Sequence, residues 1–362
     1  MPEAPTTTLA VYSARPTVQI NLQSYAKVSE LLIGMEMVEQ EGGLSSLELR
    51  FNNIASDSEG GAGLAFEDDR ILKLGAAIAV YSGDEMAPQE IFRGMLTGLE
   101  AEFSADGAPT LLVLAEDSLQ QARMARRTQI YENPSIADLV RQLAQRLSLT
   151  PIITGFTDAI TTHVQMDESD LAFLRRVLAR YDGDLQVVGT ELHVLPRGEV
   201  RRGSLELHIH SQLRRVRILA DLAHQVTQIT VSGWNPEQGQ PFAVSSTGVH
   251  RGPGAGWMGA QILANAVGSR SHHIAHLAAT SEAEAHAIAD AAFDARAHRF
   301  VQVEGTAEGN PALRVGTHVS LLGMGDRFDN TYYATRVCHR FDGTRGYETD
   351  FEAEGAFWGG GR

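Results

Sequence analysis

Four groups of residues in this sequence have types and spacings that suggest chemistry. The first is Gly254-x-Gly256-x-x-Gly259, the spacing of a dinucleotide-binding loop. That loop must sit tightly between a strand and a helix, so that the helix N-terminus meets a pyrophosphate, with an acidic residue about 20 positions on for the ribose. Here the apolar segment Phe242 to Val244 ends too early, no Asp or Glu follows until Glu282, and no βαβ units surround it, so the pattern reads as an ordinary loop. The second group is histidine: His208 and His210 would share a strand face, and His272, His273 and His276 are clustered. Zinc requires three or four converging ligands with outer support, and neither HExxH nor paired Cys/His spacing occurs. The third, Asp167, Glu168 and Asp170, would suit acid–base work, but helix capping accounts for it. The fourth is Cys338 beside His339, where strand alternation sends the side chains to opposite faces and so opposes a nucleophile–base pair. A G-x-S-x-G elbow, a P-loop and an EF-hand loop are all missing. No catalytic, cofactor-binding or metal-ligating residue is assigned, and no cofactor is expected.

The elements that would position any such group come from a chain of 362 residues, 43% hydrophobic and 21% charged, which predicts two or three domains with real cores. One cysteine excludes an internal disulfide and a zinc fold built on cysteine pairs. No window approaches about 18 uninterrupted apolar residues, and Met1 to Arg15 lacks the basic flank and apolar run of a secretory signal. The expectation is a protein made in the cytoplasm, with no membrane insertion of its own. The net charge of −15 is uneven: up to Ala115 there are 6 Lys or Arg against 17 Asp or Glu. Such a surface repels phosphate, and no sequence-specific nucleic-acid partner is expected. The arginines at 201, 202, 214, 215 and 217 read as a solvated strand face.

Alternating Val18, Ile20 and Leu22, the apolar run from Ser29 to Glu39, and alternating Leu47, Leu49 and Phe51 predict strands, with a loop from Ala55 to Gly63. Strands resume at Ala77–Tyr81, Ile91–Leu99 and Thr110–Leu114, a spacing that suggests a barrel or sandwich. A helix with Asn133 as N-cap and Pro134 at its first position buries Ile136, Leu139, Val140, Leu143 and Leu147. A second starts at Asp167, buries Leu171, Leu174, Val177, Leu178 and Tyr181, and stops at Asp182-Gly183; a hairpin follows around Gly189-Thr190. Strand patterns return at Leu205 to Ile209 and Val226 to Val231, the latter ending at Gly233-Trp234-Asn235-Pro236. A short helix at Met258 to Val267 and a long one at about 281–299, opened by Ser281-x-x-Glu284, precede closing strands at Val301–Gly305, His318–Leu322, Tyr332–Arg340 and Tyr347–Glu354.

The segment Gln165-Met166-Asp167-Glu168-Ser169-Asp170-Leu171-Ala172-Phe173-Leu174-Arg175-Arg176 resembles the "ESD-x-x-FL-R" helix of the late control protein D family of bacteriophages, baseplate hubs of contractile tails that share their hub with VgrG proteins of type VI secretion. Gly309-Asn310-Pro311-Ala312-Leu313-Arg314-Val315-Gly316, Gly323, Tyr332 to Val337, His339 and Gly346-Tyr347-Glu348-Thr349 resemble that family's closing strands, and the order of the pieces matches over nearly the whole chain. The resemblance implies a β-rich α+β chain: a first tail-tube-like β-barrel at 1–115, a helical and hairpin insert at 116–200, a second barrel at 201–355, and a flexible Gly-rich tail at 356–362. It implies a non-enzymatic homotrimeric ring that adapts a hexameric tail tube, or a tube initiator, above to a separate spike protein below, amid baseplate wedge proteins. It would be made in the bacterial cytoplasm and become part of a virion tail or contractile injection particle. The spike is expected as a separate protein because the sequence stops at Arg362, and the acidic first third would shape part of the channel. The alternatives are a tail-associated cell-wall hydrolase or a carbohydrate-binding β-protein.

Overall fold

The computed structural model of the chain describes residues 12–56, 61–84, 87–275, 277 and 279–359. Its dominant feature is a 13-stranded sheet. From one edge, the strands run Leu213–Ala220, Val301–Glu308, Gly346–Gly355, Asn330–Asp342, Leu32–Gln40, Ser46–Asn52, Thr110–Glu116, Gln89–Glu102, Ala77–Asp84, Tyr12–Ile20 and Gln23–Ser24. Thr317–Leu322 adds to Asn330–Asp342, and Gly203–His208 adds to Thr317–Leu322 in parallel. The chain is thus β-rich with few helices.

One hairpin joins the two β-rich parts. In strand Asn330–Asp342, Tyr332 and Tyr333 pair with Val319 and His318. Past a bulge between Ala334 and Arg336, the strand pairs instead with Leu32–Gln40, from Arg336 opposite Gln40 to Asp342 opposite Gly34. A bulge bends a strand and raises its twist, which lets it leave one layer and enter another. Phe341 and Tyr347 therefore pack in the first core with Leu47, Leu49 and Phe51, although sequence places them in the 201–355 segment. A second core gathers Leu119 to Val194, and two more gather the residues after Leu207.

Alternation identifies the buried faces well: Val18, Ile20, Leu47, Leu49 and Phe51 are all at most 1% exposed. Leu22 departs from the pattern and stands in solvent, because Asn21 and Leu22 both take positive φ and turn the chain after Ile20. The apolar run from Ser29 splits into a helix, Ala26–Leu31, and the strand Leu32–Gln40. The segment expected as a loop at Ala55 is partly a small hairpin, Ile54–Ser56 against Ala62–Leu64. Strand Gln228–Asn235 runs through Gly233-Trp234, which pair with Phe242 and Pro241, so the turn comes after Asn235.

Both insert helices start later than their sequence signals. Ile136–Leu147 is capped by Ser135, whose Oγ accepts from Asp138 N at 3.1 Å, while Asn133 has φ +44° and belongs to the turn before it. Asp170–Leu178 is capped by Ser169, whose Oγ accepts from Ala172 N at 3.2 Å, and Asp167 ends up in strand His163–Ser169. The long helix Glu282–His298, capped by Ser281, lies where its capping box predicts. The tail expected from 356 is instead tied down at its start: Ala356 is buried, and Phe357 and Trp358 pair with Met258 and Trp257. Residues 360–362 lie outside the described residues.

Candidate functional site

The groups that looked chemical in sequence do not converge. Gly254 and Gly256 have φ of +100° and +118°, and the loop docks on the chain's end: a β-carbon at Gly256 would lie 1.9 Å from the Gly359 carbonyl oxygen. That glycine serves a close backbone approach. His208 is exposed, His210 has φ +67°, and His273 Nε2 lies 2.8 Å from Ser232 Oγ, while His276 lies outside the described residues. Among the described residues, no group of three or more His, Cys, Asp or Glu is placed to hold a metal.

Asp167, Glu168 and Asp170 point to different arginines. Asp167 pairs with Arg126 at 3.3 Å, Glu168 with Arg176 at 2.9 Å, and buried Asp170 with Arg127 at 3.1 Å and Arg146 at 2.9 Å. Burial alone would raise the Asp170 carboxyl, but Gln165 and Arg146 outweigh it and hold it below the usual range. Capping falls to Ser169, so only Asp170, in the first turn, behaves as the helix-start reading expects. Cys338 is buried and its thiol is pushed up to about 12 by burial, which keeps it protonated. The basic cluster disperses: Arg214 reaches Glu348, Arg217 pairs with Glu304, Arg201 bonds Ser204, and Arg202 turns inward to buried Asp184.

That last contact belongs to the most distinctive site in the molecule, a buried charged junction where the insert meets both β parts. Strand Gly183–Val188 turns Leu185 and Val187 into the insert's core, while Asp184 and Gln186, 2% and 0% exposed, face the other way. Gln186 Nε2 donates to Glu39 Oε1 at 2.9 Å, and Arg314 holds the same carboxylate bidentately, Nε to Oε2 at 2.9 Å and Nη2 to Oε1 at 2.6 Å. The Val315 amide adds a fourth bond at 3.0 Å. Burial would raise Glu39, but the Arg314 charge and these bonds keep its carboxyl below the usual range.

The second half of the junction centres on Arg197, 8% exposed. Its guanidinium bonds Glu41, His298 Nδ1 and Glu354 Oε2, the last at 2.9 Å, and lies 4.6 Å from the Tyr333 ring centroid. His298 Nε2 lies 2.9 Å from the His250 carbonyl, so the ring is neutral, with Nε2 donating and Nδ1 accepting from Arg197. Burial, with Arg197 adding to it, pushes His298 down to about 3, and burial lifts Asp182 to about 6. A cleft of about 590 Å³ opens here, lined by Glu41, Arg175, Asp182, Arg197, Arg299 and Glu354. The helix Asp170–Leu178 is tied across it by Arg175 Nε donating to the Gly42 carbonyl at 2.7 Å.

Sequence reasoning missed this junction. Its residues are polar positions alternating with apolar ones, the pattern of a strand with one wet face. The only sequence signal was that Arg314 lies inside the Gly309 to Gly316 motif, where the first glycine leaves room for the Tyr347 ring: a β-carbon at Gly309 would approach it to 2.1 Å.

Fully buried His339 makes the junction sensitive to acid. Burial, with the charge of Arg314 next, pushes it down to about 3, while Tyr347 Oη lies 2.8 Å from its Nδ1. In the unfolded chain a histidine titrates near 6.5, so from about pH 6.5 to 3 the unfolded state takes a proton that the folded state does not, and stability falls as pH falls. At pH 5 this one group costs about 2 kcal/mol. Asp182 and Asp117, each lifted to about 6, act in the opposite sense because the folded state protonates them first. His339→Gln is therefore expected to flatten the loss of stability between pH 6.5 and 4 in urea titrations, and an unchanged slope would contradict this account.

The architecture of two antiparallel β parts sharing a hairpin and clasping a small helical insert is that of phage tail proteins. The 43 kDa tail protein of prophage MuSo2 from Shewanella oneidensis superposes with a TM-score of 0.65 at 11% identity, covering 94% of this chain and 97% of that one. A tail protein from Neisseria meningitidis gives 0.66 at 9% identity, over 94% and 96%. An E. coli component of the type VI secretion system, itself described as similar to T4 bacteriophage tail proteins gp27 and gp5, gives 0.58 at 14% identity over 95% and 79%. At these identities the likeness defines the fold. Residues 56–342 match the model of the Alg8 N-terminal domain, most of the chain, and the chain belongs to that family. No curated protein matches its sequence. Among the described residues no helix is long and apolar enough to cross a membrane.

Proposed function

We propose that this chain is a structural baseplate hub of a phage tail or phage-derived contractile injection apparatus. In this reading it forms a homotrimer that meets a hexameric tail tube or tube initiator above, seats a separate spike protein below and contacts wedge proteins around it. The observation that carries the reading is the shared hairpin: by switching partners at its bulge, strand Asn330–Asp342 places two β layers side by side in one chain. Three copies then offer six layers, the ratio needed to join six-fold to three-fold symmetry. The motifs resembling late control protein D support the same assignment.

Both outer edges support assembly. Among the described residues, Leu213–Ala220 pairs along its length with Val301–Glu308 and otherwise makes a single bridge, Leu213 to Ile209, while Tyr12–Ile20 is paired on its outer side at Gln19 and Ile20. Unpaired edges invite other strands, and a closed ring covers them with neighbours, completing each layer as a barrel. The helical and hairpin unit at 116–200 bridges the two layers through the junction. The chain is read as non-enzymatic; the protonated Cys338 and the dispersed carboxylates favour this over a cell-wall hydrolase.

Light scattering of the purified full chain is expected to give three times the chain mass, with a three-fold ring in negative stain. A monomer at all protein and salt concentrations would reject the trimer. Release of peptidoglycan fragments by the same sample would favour the hydrolase instead.

A further inference from the structure

Beside the junction, on the far side of Arg299, lies a second cleft of about 500 Å³ whose charged lining is three arginines. Arg296 and Arg299 come from the last turn and C-cap of helix Glu282–His298, and Arg270 from the segment before strand Ser271–Ile274. His224, Val226 and Ala292 complete much of the wall, and among the described residues no carboxylate lines it. The surrounding protein carries a net charge of −15, yet among the described residues none of these three arginines forms an ion pair.

Their remaining contacts orient them without neutralising them. Arg270 Nη1 donates to the carbonyls of Ala223 at 2.7 Å and Gln225 at 3.3 Å, and Arg296 Nη1 to that of Ala292 at 3.0 Å. Each guanidinium has five donors in a fixed fork, so the other edges stay available. Burial, and after it the charges of Arg299 and Arg270, lower the affinity of Arg296 for its proton. The field of Arg299 also reaches Glu354 in the neighbouring cleft, which draws off only one of the three charges. A fold that lines one cleft with three cations and, among the described residues, no carboxylate leaves room for an anion from outside.

We propose that this cleft binds an acidic peptide segment of a partner protein, its carboxylates forked by Arg270, Arg296 and Arg299 and its aliphatic stems lying on Val226 and Ala292. The size and the apolar floor suit side chains with methylene stems better than a lone phosphate. Three arginines in a cleft of about 500 Å³ suit a short segment better than a long polyanion such as nucleic acid, since the local field extends about 10 Å at 0.1 M salt. The site stands on its own charge and does not depend on the hub reading.

Fluorescein-labelled hexaglutamate titrated with the full chain in 50 mM NaCl tests it. Saturable binding is expected, weakened about tenfold by Arg299→Gln and further by the Arg296→Gln/Arg299→Gln pair, with Arg299→Lys recovering part of it. Arg217→Gln, which removes an exposed arginine elsewhere, should bind like the native chain. Arg299 is exposed and, among the described residues, makes no ion pair, so its single variant is expected to fold natively, which circular dichroism verifies, and it carries the test if the double variant does not fold. Absence of binding, native-like binding by Arg299→Gln, or hexathymidylate or inorganic phosphate competing as well as unlabelled hexaglutamate would each overturn the proposal.

Discussion

Arg197→Met is expected to lower the unfolding free energy by about 3–5 kcal/mol, measured by urea denaturation at pH 7. The magnitude follows from what the substitution leaves behind. Methionine fills much of the same space over the Tyr333 ring, but Glu41, Glu354 and Asp182 then share a largely buried site that has lost the cation at its centre. Removing one partner of a buried ionic group costs far more than the group's net contribution, because the remaining charges stay buried and unpaired. His298 Nδ1 also loses its donor. The combined variant Arg197→Met/Glu41→Gln/Glu354→Gln should recover a large part of the loss. If that triple variant is no more stable than Arg197→Met, the cost arises from packing and the electrostatic account of the junction is wrong.

The second large effect is expected at Glu39. Glu39→Ala removes an acceptor of four hydrogen bonds and leaves Arg314 buried without its carboxylate, again about 3–5 kcal/mol. It should also be felt far from the mutation, because the four donors come from the insert strand and the Gly309 to Gly316 segment. Hydrogen exchange is expected to rise in Gly183–Val188 and around Val315 together, the two elements held by that one carboxylate. Pairing Glu39→Leu with Arg314→Met replaces the ion pair by apolar bulk and should restore most of the stability. Exchange confined to the Leu32–Gln40 strand would show that Glu39 does not couple the parts.

Both predictions concern residues that sequence reasoning passed over, and the reason is physical. Apolar alternation reports which face of an element leaves water, so Leu47, Leu49 and Phe51, or Ile136, Leu139 and Val140, are legible without a structure. Asp184 and Gln186 alternate in the same way, and the pattern assigns them to solvent, whereas they are buried against Arg202 and Glu39. A polar face that meets water and one that meets complementary charge are written with the same residues. Helix starts erred for a related reason: Asn133 and Asp167 are good caps by type, but Ser135 and Ser169 also are, and only backbone geometry chooses between them.

By itself the sequence determined the local grammar of this protein: strand segments, the long Ser281-capped helix, the hairpin around Gly189-Thr190, and motifs that resemble those of phage tail proteins. These depend on contacts within a few residues, or on face periodicity. Only the tertiary structure decided that one strand serves two layers, that Phe341 and Tyr347 belong to the first core, and that carboxylates and arginines more than 150 residues apart close a buried junction while three other arginines line a cleft with no ion pair among the described residues. Such partners meet through the folded chain, at separations where no local pattern in the sequence specifies which charge will find which.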